Sequence, residues 1–270
     1  MPFQHFIFSL FFPRTVLGGG FTTKEGGSTV LTVRPAKDED VPGIMRVERE
    51  TFGDIGEDAM AAEAVMRERV GLCNRQRHSW FWVAEKNGEV VGDLILQPTG
   101  LTPEECTSWG AATDDGTLRR TFDLRGENVY VVSFAVCANA PHGTSYLLAH
   151  AAFLEWFRMR KKLFMFCSRM PGFKAMHDKN GISPEEYWRL RRRDGSPRDS
   201  MLHLYWEMTG GSNPHQFLRD GFPPDEESGG HGVLFAADDP VRALRAAANL
   251  IHAHGVREGL RNLEEVPHDK

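Results

Sequence analysis

The stretch Ala140-Pro141-His142-Gly143-Thr144-Ser145 joins the apolar run "NVYVVSFAV" to the apolar run "YLLAHAAFLEWF". A strand that turns into a helix through small residues presents the backbone N–H groups of the helix's first turn. Those groups lack internal partners, and the helix dipole there favours negative charge, so the arrangement can hold a phosphate. Gly143 would let a pyrophosphate come close to the backbone, Thr144 and Ser145 add hydroxyl donors, and His142 can donate from the loop. The bland reading of the same residues is an ordinary strand-to-helix connection with a solvated His142. Further on, Ser168 and Arg169 follow "LFMFC". An arginine at a strand end faces the crevice where open α/β sheets bind ligands, so Arg169 can take up a carboxylate with Ser168 hydrogen bonding beside it. A salt bridge to Glu185 or Glu186 is the alternative.

The elements that must position these residues are readable from pattern. "LTVRP" is a short strand, and Asp38 or Asp40 offers an N-cap for the helix "VPGIMRVERETFG". "DAMAAEAVMRERVGL" continues as a second helix. "SWFWVAEKNGEVVGDLILQPTG" is a hairpin about Asn87-Gly88. Residues 100–127 are polar and read as a long loop, a candidate lid. Then come a central strand, a long helix with basic residues at its C-terminal end, the strand "LFMFCS", and a short helix with the capping-box pair Ser183 and Glu186. "MLHLYWEMTGG" fits either period, "GHGVLFAAD" is a last strand, and an alanine-rich helix closes the chain. This order predicts a mixed α/β (α+β) sheet flanked by helices. Residues 1–30 read as an N-terminal extension and linker, 31–238 as the domain, and 239–270 as a C-terminal helix and tail.

Composition narrows the function. The net charge is -5, which argues against a nucleic-acid partner; the cluster Arg189, Arg191, Arg192, Arg193 reads as a solvated helix end. The four cysteines are far apart, with no CxxC pair, so neither zinc nor a disulfide framework is indicated, and reduced thiols in a cytoplasmic protein are expected. His215, His231, His252 and His254 are scattered, and no metal is expected. Phe6–Phe12 is apolar but too short to span a bilayer and lacks a cleavage site, so neither a signal peptide nor a membrane segment is expected. That arm and the C-terminal helix are candidate interface elements of a homodimer.

Three segments resemble the GCN5-related N-acetyltransferase superfamily: "LTVRPAKDEDVPGIMRVERETFG", "FWVAEKNGEVVGDLIL" and "VVSFAVCANAPHGTSYLLAHAAFLEW". The family's phosphate motif, Arg/Gln-x-x-Gly-x-Gly/Ala, falls on residues 140–145. Gly143 matches, Ser145 is a small replacement, and Ala140 stands where the family has Arg or Gln. "CSRMPGF", "SPEEYW" and "FPPDEESGGHGVLF" resemble the subgroup found fused to carbon–nitrogen hydrolases or in polyketide synthase loading modules. The resemblance implies an acyl-CoA-dependent N-acyltransferase: acetyl-CoA, or another acyl-CoA, as co-substrate and an unidentified amine as acceptor, with direct attack in a ternary complex. Val136, His142, Gly143, Thr144 and Ser145 would hold the CoA, and a bulge within Val132–Val136 would free a backbone N–H for the thioester carbonyl. The family's thiolate-protonating Tyr stands four residues before a Gly. Here Trp206 occupies that place before Gly210, and Tyr205 lies one residue away, a rotation of about 100° on a helix. Tyr205 is thus the candidate acid, or a core aromatic, and His203 a second acid/base candidate, or a polar residue at a helix edge. The subgroup implies an alternative, malonyl-CoA decarboxylation with S-acyl transfer to a carrier protein, in which Ser168, Arg169 and His203 would matter most. A domain that binds CoA or a partner without turnover is the third reading.

Overall fold

The structure, a computed structural model, describes residues 21–24, 30–53, 60–74, 78–222 and 225–264. In chain order it runs β1 (Phe21–Lys24), β2 (Val30–Pro35), α1 (Val41–Phe52), α2 (Glu63–Cys73), β3 (Phe81–Lys86), β4 (Glu89–Thr99), α3 (Trp109–Thr113), β5 (Asn128–Val136), α4 (Thr144–Arg158), β6 (Phe164–Arg169), α5 (Phe173–Asn180), α6 (Pro184–Tyr187), α7 (Ser200–Met208), β7 (Pro214–Leu218), β8 (Gly232–Ala237) and α8 (Pro240–Glu264). The strands form one sheet in the order β1-β2-β3-β4-β5-β6-β8-β7. Every neighbouring pair is antiparallel except β5 and β6, which run parallel with α4 as their crossover. This is the mixed, helix-flanked α/β sheet that the element order implied.

Local chemistry explains the joints. Asn87 and Gly88, with φ of 52° and 88°, make the tight turn between β3 and β4. "MLHLYWEM" is helical because Asp199 caps it, its carboxylate accepting from the amides of Met201 and Leu202. Ser183 and Glu186 form the capping box of α6. Asp40 behaves differently from expectation: it precedes α1 but its side chain does not cap that helix, accepting instead the Lys37 amide at 2.8 Å across the turn before it. Its carboxylate also takes a bidentate pair of hydrogen bonds from Arg34 at 2.7 and 2.8 Å, while Arg34 also reaches Glu85. That network ties β2, β3 and the entry of α1 together.

Other expectations are redrawn. Phe21–Lys24 lies within the stretch read as a linker and is strand β1, paired to β2 from Phe21↔Val33 to Lys24↔Val30. The apolar arm Phe6–Phe12 and residues 265–270 of the tail lie outside the described residues. The second helix starts at Glu63 rather than near Asp58. β7 and α5 were not legible. β7 is only half buried and carries a proline and a histidine, so it lacks the apolar alternation that marks a strand.

Residues 100–127 are pinned to the sheet. Ser108 caps α3. Gln97 donates to the Ala112 carbonyl at 2.5 Å, Arg69 to that of Gly116 at 2.7 Å, and the Trp109 indole N–H to that of Val132 at 2.8 Å. Cys106, Ala112 and Leu118 are fully buried. A polar composition signals a loop, but here the polar groups are spent on holding it down.

Two irregularities shape the sheet's centre. Ile95 pairs with Ser133 while the next residue, Leu96, pairs with Val131. Val132 is therefore the extra residue of a β-bulge, inside the expected span. Beside it, β5 and β6 pair only from Val129↔Phe164 to Val131↔Phe166 and then part.

Trp156 of α4 is fully buried. Its ring lies 6.2 Å from Phe153 and 5.4 Å from Phe164, and its indole donates to the Lys161 carbonyl at 2.8 Å. Trp156→Ala is expected to cost about 3–5 kcal/mol through the cavity it leaves, read as a lowered urea midpoint with an unchanged slope.

Candidate active site

Where β5 and β6 part, a cavity of about 260 Å³ opens through the sheet. Side chains alternate along each strand, so Asp93, Ile95 and Ser133 face one side, and Leu94, Phe134 and Phe166 the other. Helices α1 and α2 cover the first side, bringing Glu48 and Arg69 to the cavity. Helices α4 and α7 cover the second, bringing Phe153 and Tyr205.

The first side of the sheet holds charges that the sequence reading passed over, of which Glu48 and Arg69 line the cavity. Glu48, Arg69 and Asp93 are all buried. Glu48 Oε1 accepts from Ser133 Oγ at 2.5 Å, one residue from the bulge. Arg69 Nε is held by the Gly116 carbonyl, and burial lowers the arginine's pKa against the opposing charge of Glu48. Burial raises the Glu48 carboxyl, with the Ser133 hydroxyl and Arg69 opposing. Asp93 is fully buried, and neither of its oxygens has a hydrogen-bond partner among the described residues. Burial, and then the charge of Glu48, push its carboxyl well above the ordinary range. The signal for Asp93 was present: one carboxylate in the middle of the apolar run "VVGDLIL".

The second wall holds Tyr205. Met201, Tyr205, Met208 and Thr209 follow helical spacing on one face of α7 and line the cavity. The Tyr205 ring packs against Phe166 at 4.8 Å and Phe235 at 6.2 Å. Burial pushes its phenol up to about 12, so it stays protonated at physiological pH. Trp206, which occupies the family's tyrosine place, instead lies parallel to His203 at 6.0 Å. His203 is about 200° from Tyr205 around the helix and does not line the cavity. Its Nε2 lies 3.6 Å from Glu207, and its Nδ1 is buried with no partner among the described residues.

Ser168 and Arg169 close the β6 side of the cavity. Arg169 pairs with neither Glu185 nor Glu186. It lies 2.7 Å from Asp225 and 3.3 Å from Glu227, while its Nε is buried without a hydrogen-bond partner. The Ser168 hydroxyl donates to the Arg169 carbonyl.

The turn 140–145 lies off the cavity, at the end of β5. Gly143 is the N-cap of α4 with φ 86°, a left-handed conformation that a side chain would strain, and no side chain among the described residues caps this end. The Thr144 hydroxyl is already given to the Pro141 carbonyl at 2.6 Å, which takes it away from a ligand. His142 is exposed and Ser145 half buried. Val136 pairs with Gly92 just before the turn. His150 is packed inside α4 and kept neutral, burial lowering its pKa to about 4. Burial disfavours the thiolate form of the cysteines, pushing Cys137 up to about 11, Cys73 and Cys106 to about 12, and Cys167 higher still.

A sheet opened between its two parallel central strands, with a bulge beside the opening and an uncapped helix start at its end, is the fold of the GCN5-related N-acetyltransferases. Solved structures that share it include these two. One is the GphF GNAT-like decarboxylase in complex with isobutyryl-CoA: 21% identity, 76% of this chain and 98% of that one, TM-score 0.57. The other is the loading GNATL domain of CurA from Lyngbya majuscula: 16% identity, 77% of this chain and 97% of that one, TM-score 0.64. No protein-family model matches the chain, and no curated protein matches it in sequence. Among the described residues, no helix is long and apolar enough to cross a membrane.

The elevated Asp93 carboxyl gives a signature in stability. A folded carboxyl that holds its proton more tightly than the unfolded one favours the fold at low pH, and that contribution is lost as pH rises through the folded pKa. Asp93→Asn cannot titrate. The melting temperature of the variant is expected to fall less steeply than that of the parent as pH rises from about 5 to 8.

Proposed function

We propose that this protein transfers an acyl group, acetyl in the simplest case, from acyl-CoA to an amine by direct attack in a ternary complex. One observation carries the reading: the cavity crosses the sheet at the bulge with a carboxylate on one wall and a protonated phenol on the other. Acyl transfer from a thioester needs a carbonyl held by N–H donors, a proton acceptor for the amine and a proton donor for the leaving thiolate. The backbone beside Val132, freed from the regular ladder, would face the carbonyl. Tyr205 would give its proton to sulfur. The uncapped start of α4, with Gly143 closest, would hold the pyrophosphate with Val136, His142 and Ser145 around it, while Thr144 keeps its hydroxyl on the Pro141 carbonyl. With Ala140 in place of Arg or Gln, backbone amides carry that contact. The raised thiols weigh against a covalent cysteine relay.

A second reading has its own observation. Arg169 borders the cavity with an unpartnered Nε beside Ser168, a fit for a carboxylate such as that of malonyl-CoA. The GphF protein that shares the fold is a decarboxylase, and the CurA domain is a loading domain. Decarboxylation followed by S-acyl transfer to a carrier protein is the corresponding activity here. Asp225 and Glu227 already neutralise Arg169, which places this reading second.

Incubation with acetyl-CoA or malonyl-CoA, followed by mass spectrometry, separates the two. Free CoA formed from acetyl-CoA only when amines are present supports N-acyl transfer. Acetyl-CoA appearing from malonyl-CoA without an acceptor supports decarboxylation. If neither ester is consumed and neither raises the melting temperature at millimolar concentration, both readings fail. Tyr205→Phe is expected to lower kcat about hundredfold while leaving the KM for acyl-CoA unchanged; full turnover would remove the tyrosine's role.

A further inference from the structure

The acceptor side of the cavity has a chemistry of its own. Its walls include the aromatic rings of Phe52 and Trp109, so the body of a bound molecule meets apolar surface. Against that surface stands one carboxylate, Glu48, 4% exposed and touching Ser133. Among the described residues, the titratable groups that act on it are Arg69 from α2 and Asp93 from β4, with the protonated thiol of Cys73 beyond Arg69. The Glu48 Oε1 takes the Ser133 hydroxyl, and Asp93 has no hydrogen-bond partner among the described residues. Two carboxyls thus face one guanidinium, and the surplus is one proton's worth of negative charge in a closed space.

We propose that Glu48 binds and deprotonates a primary amine with an apolar, preferably aromatic, body, the surplus carboxylate of the Glu48–Asp93 pair balancing its ammonium charge. The inference rests on the acyl-transfer reading and names its acceptor class. At rest the pair keeps one proton, and with Arg69 the group is neutral. Binding of the ammonium form releases that proton to solvent and keeps the group neutral. As the amine nitrogen attacks, the N–C bond forms and the C–S bond breaks. Glu48 first takes one proton from the ammonium, which restores the resting pair and frees the attacking lone pair. Tyr205 gives its proton to the departing sulfur, which leaves as a thiol, and the second proton lost by nitrogen returns to the Tyr205 oxygen. The sum is ammonium plus thioester giving amide, thiol and one proton. The raised Glu48 carboxyl suits a base that must work near neutral pH.

Calorimetry with 2-phenylethylamine, and with 2-phenylethanol as its uncharged counterpart, tests binding without any CoA ester. The parent protein is expected to bind the amine at least about tenfold more tightly than the alcohol, and Glu48→Gln to lose that preference. Equal binding of amine and alcohol by the parent, or an undiminished preference in Glu48→Gln, overturns the proposal. So does the absence of saturable amine binding at millimolar concentration. If Glu48→Gln does not fold, Glu48→Asp, which keeps the charge, and the amine–alcohol comparison on the parent still decide. In turnover, Glu48→Gln is expected to lower kcat about hundredfold with the acyl-CoA KM unchanged, and to lose the acid limb of the pH–rate profile. Glu48-dependent amine binding with no acyl-CoA consumed would sink the acyl-transfer reading and leave the amine site standing. Acyl transfer at the parent rate in Glu48→Gln would do the reverse.

Discussion

The parting of β5 from β6 is the constraint on which the rest depends. Two parallel strands share a ladder for only three residue pairs and then separate. Past that point the backbone N–H and C=O groups facing the gap have no strand to bond. In a closed sheet such groups would be a defect. Here the gap is the cavity, and the sheet stays intact because antiparallel β4 and β8 hold the outer edges of the two diverging strands. The bulge at Val132 adds to the divergence, and its carbonyl is taken up by the Trp109 indole.

Everything else near the gap is held by something outside it. The 100–127 segment is fastened through Gln97, Arg69 and Trp109, so that Trp109 stands as a wall. Asp199 caps α7, accepts from the Gly172 amide and receives the Tyr187 hydroxyl, fixing the helix that carries Tyr205. Arg169 is steadied by two carboxylates on the 225–227 turn. Positions are therefore set by hydrogen bonds reaching in from loops, and the apolar walls only exclude water.

The sequence reveals what is periodic and hides what is three-dimensional. The β3–β4 hairpin, α4 and the α6 capping box follow from residue order alone, because turn chemistry and helical spacing are local. The turn at Gly143 is legible for the same reason. Glu48 and Arg69 are not: on a helix they look like surface charges, and only tertiary packing buries them. The distinction between Tyr205 and Trp206 is equally invisible, since it depends on which face of α7 meets Phe166. Arg169 was visible as a strand-end cation, but its partners Asp225 and Glu227 lie more than fifty residues away along the chain.

The short parallel seam has a consequence for how the molecule assembles. β2 reaches β3 across α1 and α2, and β6 reaches β8 across α5, α6, α7 and β7, whereas β3 and β4 form a tight hairpin. Local pairings of this kind form early and cheaply in chain entropy. The β5–β6 junction must wait for α4 to cross the sheet, and it offers few backbone bonds once made. Closure of that junction joins the part of the sheet built from β1–β5 to the part built from β6–β8, and the cavity comes into being at the same moment. A nascent chain thus has no binding site until its two halves have met, and occupancy of the cavity can report that folding is complete.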